Sequence, residues 1–284
     1  MITLRKVFSK EPHVLRNKER YFSILQDYRA FAEKLSVENG KVKKTSSKGA
    51  HYARFLLYLT VLYEEIFQED FGPLDSFVAL KKIMVVENLK DFTTFNREEH
   101  NFYSATINCF SAYLTRKQTR KEEFADDRLN FNLASLTVAD EILISEEIKE
   151  FQVDNLERPK KILYQKNESY PRSPHVSYLA KIRSNWSCEL NRRHRTFISQ
   201  ADGKNFVEVH HLVPMAVQDY YQYTLDFTDN VITLCPNCHR LVHLGSYQER
   251  ATAITKLLKD RETTYQQHGI EINQKLLLSF YGVV

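Results

Sequence analysis

The chain has 284 residues, 43% of them hydrophobic, with only seven glycines and seven prolines. That is enough apolar material for one large or two ordinary cores, and too little Gly and Pro for a long disordered tract. No apolar run approaches a membrane span, and Met1-Ile-Thr-Leu-Arg-Lys-Val-Phe8 lacks a signal-peptide core, so no membrane partner is expected.

Net charge is only +4, but residues 1 to 50 hold twelve Lys and Arg against five Asp and Glu, with Lys41, Lys43, Lys44 and Lys48 close together. Such a cluster suits phosphate contacts. It equally suits a solvated loop, because Ser46-Ser47-Lys48-Gly49 has loop composition. Helical periodicity then dominates to about residue 120. Tyr21, Phe22, Leu25, Tyr28, Phe31 and Leu35 recur at three and four, and Phe55, Leu56, Leu59, Leu62 and Ile66 form a second run. Leu74, Phe77, Leu80 and Met84 predict a third helix. Asn96 with Glu99 is a capping-box-like start for a fourth, carrying Ile107, Phe110, Tyr113 and Leu114, with Cys109 as a core thiol. Four such helices make a small bundle over residues 1–117.

Residues 118–169 read as a linker region with some structure of its own. Arg116-Lys-Gln-Thr-Arg-Lys-Glu-Glu leaves the bundle, Leu136 to Phe151 has the pattern of an acidic helix, and Lys160-Lys-Ile-Leu-Tyr-Gln that of a strand. Tyr170-Pro-Arg-Ser-Pro174 opens the second domain, residues 170–284, because its prolines stop any helix arriving from upstream. A short helix from His175 to Arg183 leads into Trp186 and Cys188. Arg195-Thr-Phe-Ile-Ser-Gln and Phe206-Val-Glu-Val-His-His read as a hairpin around the Asp202-Gly203 turn. Neighbours on a strand face opposite ways, so one of His210 and His211 is free to meet a substrate phosphate while the other joins a cation. Asn230-Val-Ile-Thr-Leu is a further extended run, and it feeds a helix that Pro236 begins and Gly245 ends. His239 and His243 are four apart and share one face of that helix. After Gly245, Gln248 to Tyr281 reads as two helices that cover a core too small to bury itself. The tyrosines of the 214–229 loop (Tyr220, Tyr221, Tyr223) are expected to pack beneath it.

Taken singly, a CxxC is a redox or packed thiol pair and a His-His is solvated surface. Their combination at these spacings points to metal. The strings Val207-Glu-Val-His-His-Leu-Val-Pro214 and Asp229-Asn-Val-Ile-Thr-Leu-Cys-Pro-Asn-Cys-His-Arg-Leu-Val-His243 resemble the HNH endonuclease family, in the cysteine-bearing branch similar to McrA-type restriction proteins. The resemblance covers roughly Tyr170 to Gly245. It implies a ββα-metal fold that hydrolyses a DNA phosphodiester, with His211 as general base, His210 and His239 as metal ligands and His243 as a third. Asn230 would hold the His211 loop in place. A single divalent ion, magnesium, manganese or similar, would stabilise charge on the scissile phosphate and leaving oxygen while the histidine takes a proton from water.

Such branches usually carry a second CxxC, but Cys188-Glu-Leu-Asn191 lacks its second cysteine, and the nearest replacement is His194. The resemblance therefore implies a structural zinc held by Cys188, His194, Cys235 and Cys238. With three of its four cysteines in that site, the protein is expected to be reduced and cytoplasmic. Arg192, Arg193, Arg195 and Arg240 are candidate phosphate contacts beside the active site.

The stretches Ser47-Lys-Gly-Ala-His-Tyr-Ala-Arg-Phe-Leu-Leu-Tyr-Leu and Asn101-Phe-Tyr-Ser-Ala-Thr-Ile-Asn-Cys-Phe-Ser-Ala-Tyr-Leu are loosely similar to the helical core-binding domain of tyrosine recombinases, which clamps duplex DNA. Nothing catalytic transfers with them, but they make Lys48 and Arg54 candidate DNA contacts.

The expected protein is mainly α with a small α+β unit: a helical bundle followed by an HNH nuclease domain. Its expected role is a metal-dependent DNA endonuclease of restriction or host defence acting on double-stranded DNA. A mobile-element or homing nuclease is a second reading, and a zinc-stabilised nucleic-acid-binding module without cleavage is a third. One HNH site cuts one strand, so double-strand cleavage requires a homodimer or two sequential nicks.

Overall fold

Apolar residues recurring every three to four positions fold as helices through the first unit of a computed structural model that describes residues 4–41, 47–122, 130, 156–164, 167–200 and 202–284. Two compact units divide the chain: Met1–Arg116 with Ser279–Val284, and Lys117–Leu278. The fold is mainly helical, with two small two-stranded sheets among the described residues of the second unit. No helix of the described residues is long and apolar enough to cross a membrane.

The first unit contains α1 (Pro12–Arg20), α2 (Phe22–Glu38), α3 (Lys48–Phe67), α4 (Phe77–Glu87), α5 (Phe92–Glu98) and α6 (Phe102–Glu122), the last of which runs on past the unit's edge. Helix α3 is central and packs against α1, α2 and α4. Tyr28 of α2 is fully buried, with its ring edge-on to Phe110 at 5.7 Å and its hydroxyl donating to the Thr106 carbonyl at 2.9 Å. Buried Asn17 ties α1 to α3 by donating to Thr60 Oγ1 at 3.1 Å and Glu64 Oε2 at 3.0 Å. At Gly49 the first turn of α3 comes so close to α2 that a Cβ would lie 2.6 Å from the Arg29 carbonyl oxygen. Cys109 is buried in α6, where desolvation pushes its thiol up to about 12, as suits a core thiol.

One expectation for this unit is corrected. Asn96 lies inside α5 and does not start the fourth helix; α6 begins at Phe102, after His100 and Asn101 turn the chain with φ of 55° and 61°. The Asn96 side chain reaches forward instead, accepting from the Ser104 amide at 3.2 Å. From Arg116 the chain leaves the first unit as α6 itself, which continues to Glu122. The acidic helix predicted over 136–151 lies outside the described residues, as do Lys43 and Lys44.

In the second unit the strand predicted near Lys160 is β1 (Ile162–Tyr164), paired antiparallel with β2 (Asn167–Ser169). Glu157 forms a bridge with Tyr223, and the Arg158 amide donates to the Gln222 carbonyl at 3.0 Å, which stitches the start of this stretch to the 221–224 loop. Tyr221 of that loop is buried. Helix α7 (Pro174–Ser184) starts on Pro174, with the Ser173 hydroxyl accepting from the Val176 amide, and ends where Asn185 and Trp186 both adopt positive φ.

The predicted hairpin around Asp202-Gly203 forms but is short: Ile198 bridges Asn205, the Ser199 amide donates to the Lys204 carbonyl at 2.8 Å and the Phe206 amide to the Phe197 carbonyl at 3.0 Å. The Asn205 side chain adds to it, its Oδ1 accepting from the Thr196 amide at 2.8 Å. The expectation that it ends on the His pair is corrected. Strand β3 (Glu208–His211) leaves the hairpin and pairs antiparallel with β4 (Val231–Leu234), with His210 opposite Ile232 and His211 opposite Val231. A 3-10 turn, Met215–Tyr220, lies between them. Helix α8 (Pro236–Leu244) follows β4, and both α7 and α8 pack on the β3–β4 sheet. Val176 and Ala180 of α7 meet Val209 and Val231 in a small apolar core.

The tail forms three helices where two were expected: α9 (Tyr247–Lys259), α10 (Glu262–Gln267) and α11 (Gln274–Phe280). The break follows α9 because the buried Arg261 guanidinium turns back onto the Leu257 and Asp229 carbonyls and Glu189.

Candidate metal centres and active site

The α7 exit, the loop after it and the start of α8 converge on four ligating groups. Cys188, Cys235 and Cys238 are buried, His194 is half-buried, and one ligand atom from each lies within 4.8 Å of every other. Cys235 is the N-cap of α8, so helix geometry turns its sulfur and that of Cys238 the same way. His194 Nδ1 lies 3.5 Å from Cys235 Sγ and 3.3 Å from Cys238 Sγ. Tetrahedral zinc, bonded at about 2.3 Å to sulfur and 2.0 Å to nitrogen, separates neighbouring ligand atoms by about 3.5–3.8 Å. The Cys3His set therefore fits a structural zinc. Burial and the neighbouring thiols push the Cys238 thiol far above its ordinary range, so a thiolate there requires a compensating cation.

A second cluster lies across the β3–α8 contact. The rings of His210, His239 and His243 form a near-equilateral triangle, with centroids 5.1, 4.8 and 5.1 Å apart. His210 and His239 are buried and His243 is exposed, leaving the cluster one open side. Glu208 shares a strand face with His210 and accepts from His239 Nδ1 at 2.7 Å. That bond puts the proton on Nδ1 and directs the Nε2 lone pair inward, where Nε2 is buried with no partner among the described residues. Burial, reinforced by the neighbouring histidines, holds His210 well below the ordinary imidazole range, in the neutral form a ligand needs. Three imidazoles with one orienting carboxylate fit a divalent cation. Glu208 was missed in the sequence, although its position two before His210 is a legible signal.

Alternation along β3 sends His211 to the opposite face, toward α7. There it is 1% exposed, with Nε2 2.9 Å from Asp226 Oδ1, and so does not stand open toward solvent. Asn230 is fully buried and makes four hydrogen bonds. Its Oδ1 accepts from the Val213 amide (2.7 Å) and the Tyr265 hydroxyl (2.8 Å), while Nδ2 donates to the Val213 (3.0 Å) and Leu225 (2.6 Å) carbonyls. It thereby clamps both ends of the loop that joins β3 to β4. Asn130, also unforeseen, pairs with both backbone groups of Val209 at 3.1 and 2.7 Å.

Of the candidate phosphate contacts, Arg192, Arg193, Arg195 and Arg240 are exposed. Arg193 and Arg195 line a cavity with Thr196, Phe197, Pro236 and Asn237. Arg195 also donates to the carbonyls of Arg192 and His194, and so braces the loop that carries His194. Lys48 is half-buried at the start of α3, and Arg54 is exposed with its guanidinium 5.7 Å from the Phe55 ring centroid.

The HNH endonuclease family model matches residues 194–244. A relative, the type IV methyl-directed restriction enzyme EcoKMcrA of Escherichia coli (strain K12), is 34% identical over 89 residues, which is 31% of this chain and 29% of the relative. The matched stretch thus spans less than a third of that relative's length. No solved structure matches the chain. With both metal clusters drawn from the matched region and its immediate flank, residues 194–244 of this chain form an HNH endonuclease-family region of the McrA-like kind.

Proposed function

We propose that this chain is a metal-dependent DNA endonuclease of restriction or host defence. The observation that carries the reading is the triangle of His210, His239 and His243, with His211 on the next residue of the same strand, inside the HNH-matched segment. Three imidazoles hold a divalent ion there, and that ion, when bound, stabilises charge on the scissile phosphate and leaving oxygen. His211 accepts the proton of the attacking water. Asn230 holds the loop that follows His211, and Glu208 fixes the His239 tautomer. Cys188, His194, Cys235 and Cys238 hold a structural zinc that ties the α7 exit to α8. Arg192, Arg193, Arg195 and Arg240 meet phosphates near the site, and Lys48 and Arg54 extend the contact from the helical unit. Modified DNA is the first substrate to try, because the relative is described as methyl-directed.

The test is plasmid nicking by wild type and His211→Ala, with magnesium, manganese or no added metal, on modified and unmodified DNA. Metal-dependent cutting by wild type alone is expected. Equal duplex binding with no cutting by either protein favours a second reading, a zinc-stabilised binding module, which the burial of His211 supports. Zinc content of His194→Ala tests the fourth ligand, and an undiminished content excludes it. Duplex affinity of Lys48→Glu/Arg54→Glu tests the helical unit, whose role fails if affinity is unchanged.

A further inference from the structure

The hairpin around Gly203 carries a large apolar ring that no core uses. Phe197 is 63% exposed, although Phe206 stacks on it at 4.7 Å with 17° between the ring planes. Phe206 covers one face of that ring and leaves the other in water. The ring is also held rigidly. The Phe206 amide donates to the Phe197 carbonyl at 3.0 Å and the Thr196 hydroxyl to the Phe206 carbonyl at 2.6 Å, while Asn205 Nδ2 donates to the Trp186 carbonyl at 2.9 Å and anchors the arm to the α7 exit. Phe197 borders the cavity, about 580 Å³ in volume, that Arg193 and Arg195 share with Pro236 and Asn237. Among the described residues neither guanidinium, nor that of exposed Arg192, pairs with a carboxylate. An apolar peptide would leave those charges unanswered, and a phosphate alone would leave the ring in water. Single-stranded nucleic acid answers both, with bases for the ring and phosphates for the cations.

We propose that Phe197 is a stacking platform for an unpaired base of DNA, with Arg193 and Arg195 on the flanking phosphates. The inference rests on the nuclease reading above for DNA as the ligand, and it narrows the substrate to DNA with a base outside the duplex stack. A paired base keeps both faces on its neighbours, whereas an unpaired one recovers its lost stacking on the ring. Such stacking needs a π-face, and apolar surface alone does not supply one. Ile198, the next residue, is 64% exposed but does not border the cavity, because alternation along an extended arm turns it the other way. Pro236 of the cavity wall and His243 of the histidine triangle stand toward opposite ends of α8, about 10 Å apart along its axis. At a rise of about 3.4 Å per nucleotide, that is a few nucleotides of strand.

The test is equilibrium binding by the full chain, read by fluorescence anisotropy, to a paired duplex and to the same duplex carrying one unpaired nucleotide. Wild type, Phe197→Ala, Phe197→Tyr and Ile198→Ala are compared. Wild type is expected to prefer the bulged duplex by about 5- to 100-fold. Phe197→Ala is expected to erase that preference while binding the paired duplex as wild type does, and Phe197→Tyr and Ile198→Ala are expected to keep it. No preference in wild type, a preference that survives Phe197→Ala, or an equal loss in Ile198→Ala overturns the inference. So does a Phe197→Ala protein that changes only from dimer to monomer in mass, which makes the hairpin a face between copies. Cleavage is read separately on both duplexes. A wild type that prefers the bulge but cuts neither duplex removes the nuclease reading and leaves the platform, and one that cuts without preference does the reverse. A wild type that binds neither duplex removes both.

Discussion

In the amino-terminal unit the bulk of what is sealed from water is aromatic and aliphatic, with Tyr28, Leu56, Leu59, Leu62 and Phe110 at the centre and a few polar groups such as Asn17 and Thr60 paired among them. Around α8 the sealed groups include Cys188, Cys235, Cys238, His210, His211, His239 and Asn230 among apolar neighbours such as Ile232, Leu234 and Val242, and the apolar cluster between α7 and the sheet is four small residues. The first kind of core draws on burial, which is non-directional and tolerant of small shifts. The second draws on directional bonds, each of which fails if a partner moves, and its largest contribution is conditional on metal. A ββα unit has too few residues to close a core by area alone, which is why cysteine and histidine occupy positions that leucine would fill elsewhere.

Metal removal is the strongest way to separate the two kinds of core. Trp186 is the only tryptophan and stands two residues before Cys188, with its indole N–H donating to Asp202 at 3.2 Å, so its emission reports the second unit. Chelation is expected to remove on the order of 10 kcal/mol from that unit and shift the emission to the red. The helical circular dichroism of the first unit should largely persist; its loss in parallel would mean that the units do not differ as described.

Phe110→Ala attacks the other side of the comparison. Its ring is completely buried against Tyr28 and Tyr113, so its removal should cost about 4 kcal/mol. Denaturation followed by circular dichroism should show the loss while zinc content stays at the wild-type level. Asn230→Ala should cost somewhat less, about 3 kcal/mol, from the Val213 amide and Tyr265 hydroxyl it leaves without an acceptor. Its loss should appear in the Trp186 transition, with cleavage falling more steeply than stability.

The smallest expected effect is acid sensitivity of the first unit. Hydrogen bonds from Arg5 hold the Glu11 carboxyl at about 2, and Arg20 does the same for Asp70. Both values are depressed in the folded state, so the stabilisation is complete above the ordinary carboxylate range and is lost as pH falls toward about 2. The pairs are largely solvated, so the loss should be slight and further reduced by salt. A steep acid transition with unchanged Trp186 emission would contradict this.

Local spacing made a large part of the molecule legible. His239 and His243 share a face because a helix repeats every 3.6 residues, and Cys235 and Cys238 converge because one caps the helix that the other enters. Alternation separated His210 from His211. The same rule applied two residues earlier reaches Glu208, a signal present and unused. The hairpin at Gly203 was also legible, but its second arm runs on into a strand that pairs with β4, a partner more than twenty residues away that local turn chemistry does not name.

By itself, the sequence determined the helix periodicity, the histidine and cysteine spacings on α8 and the opposite facings of His210 and His211, all of which follow from backbone geometry within a few residues. His194 and Asn230 were named through the family resemblance, but tertiary structure alone decided the distances at which His194 meets Cys235 and Cys238, that Asp226 meets His211, and that Asn230 reaches the Leu225 carbonyl as well as Val213. Contacts of that kind depend on how a loop closes, and the chain-entropy cost of closure is nearly the same for many alternative partners. What selects one partner is the packing of α7 and α8 on the sheet, which no local pattern records.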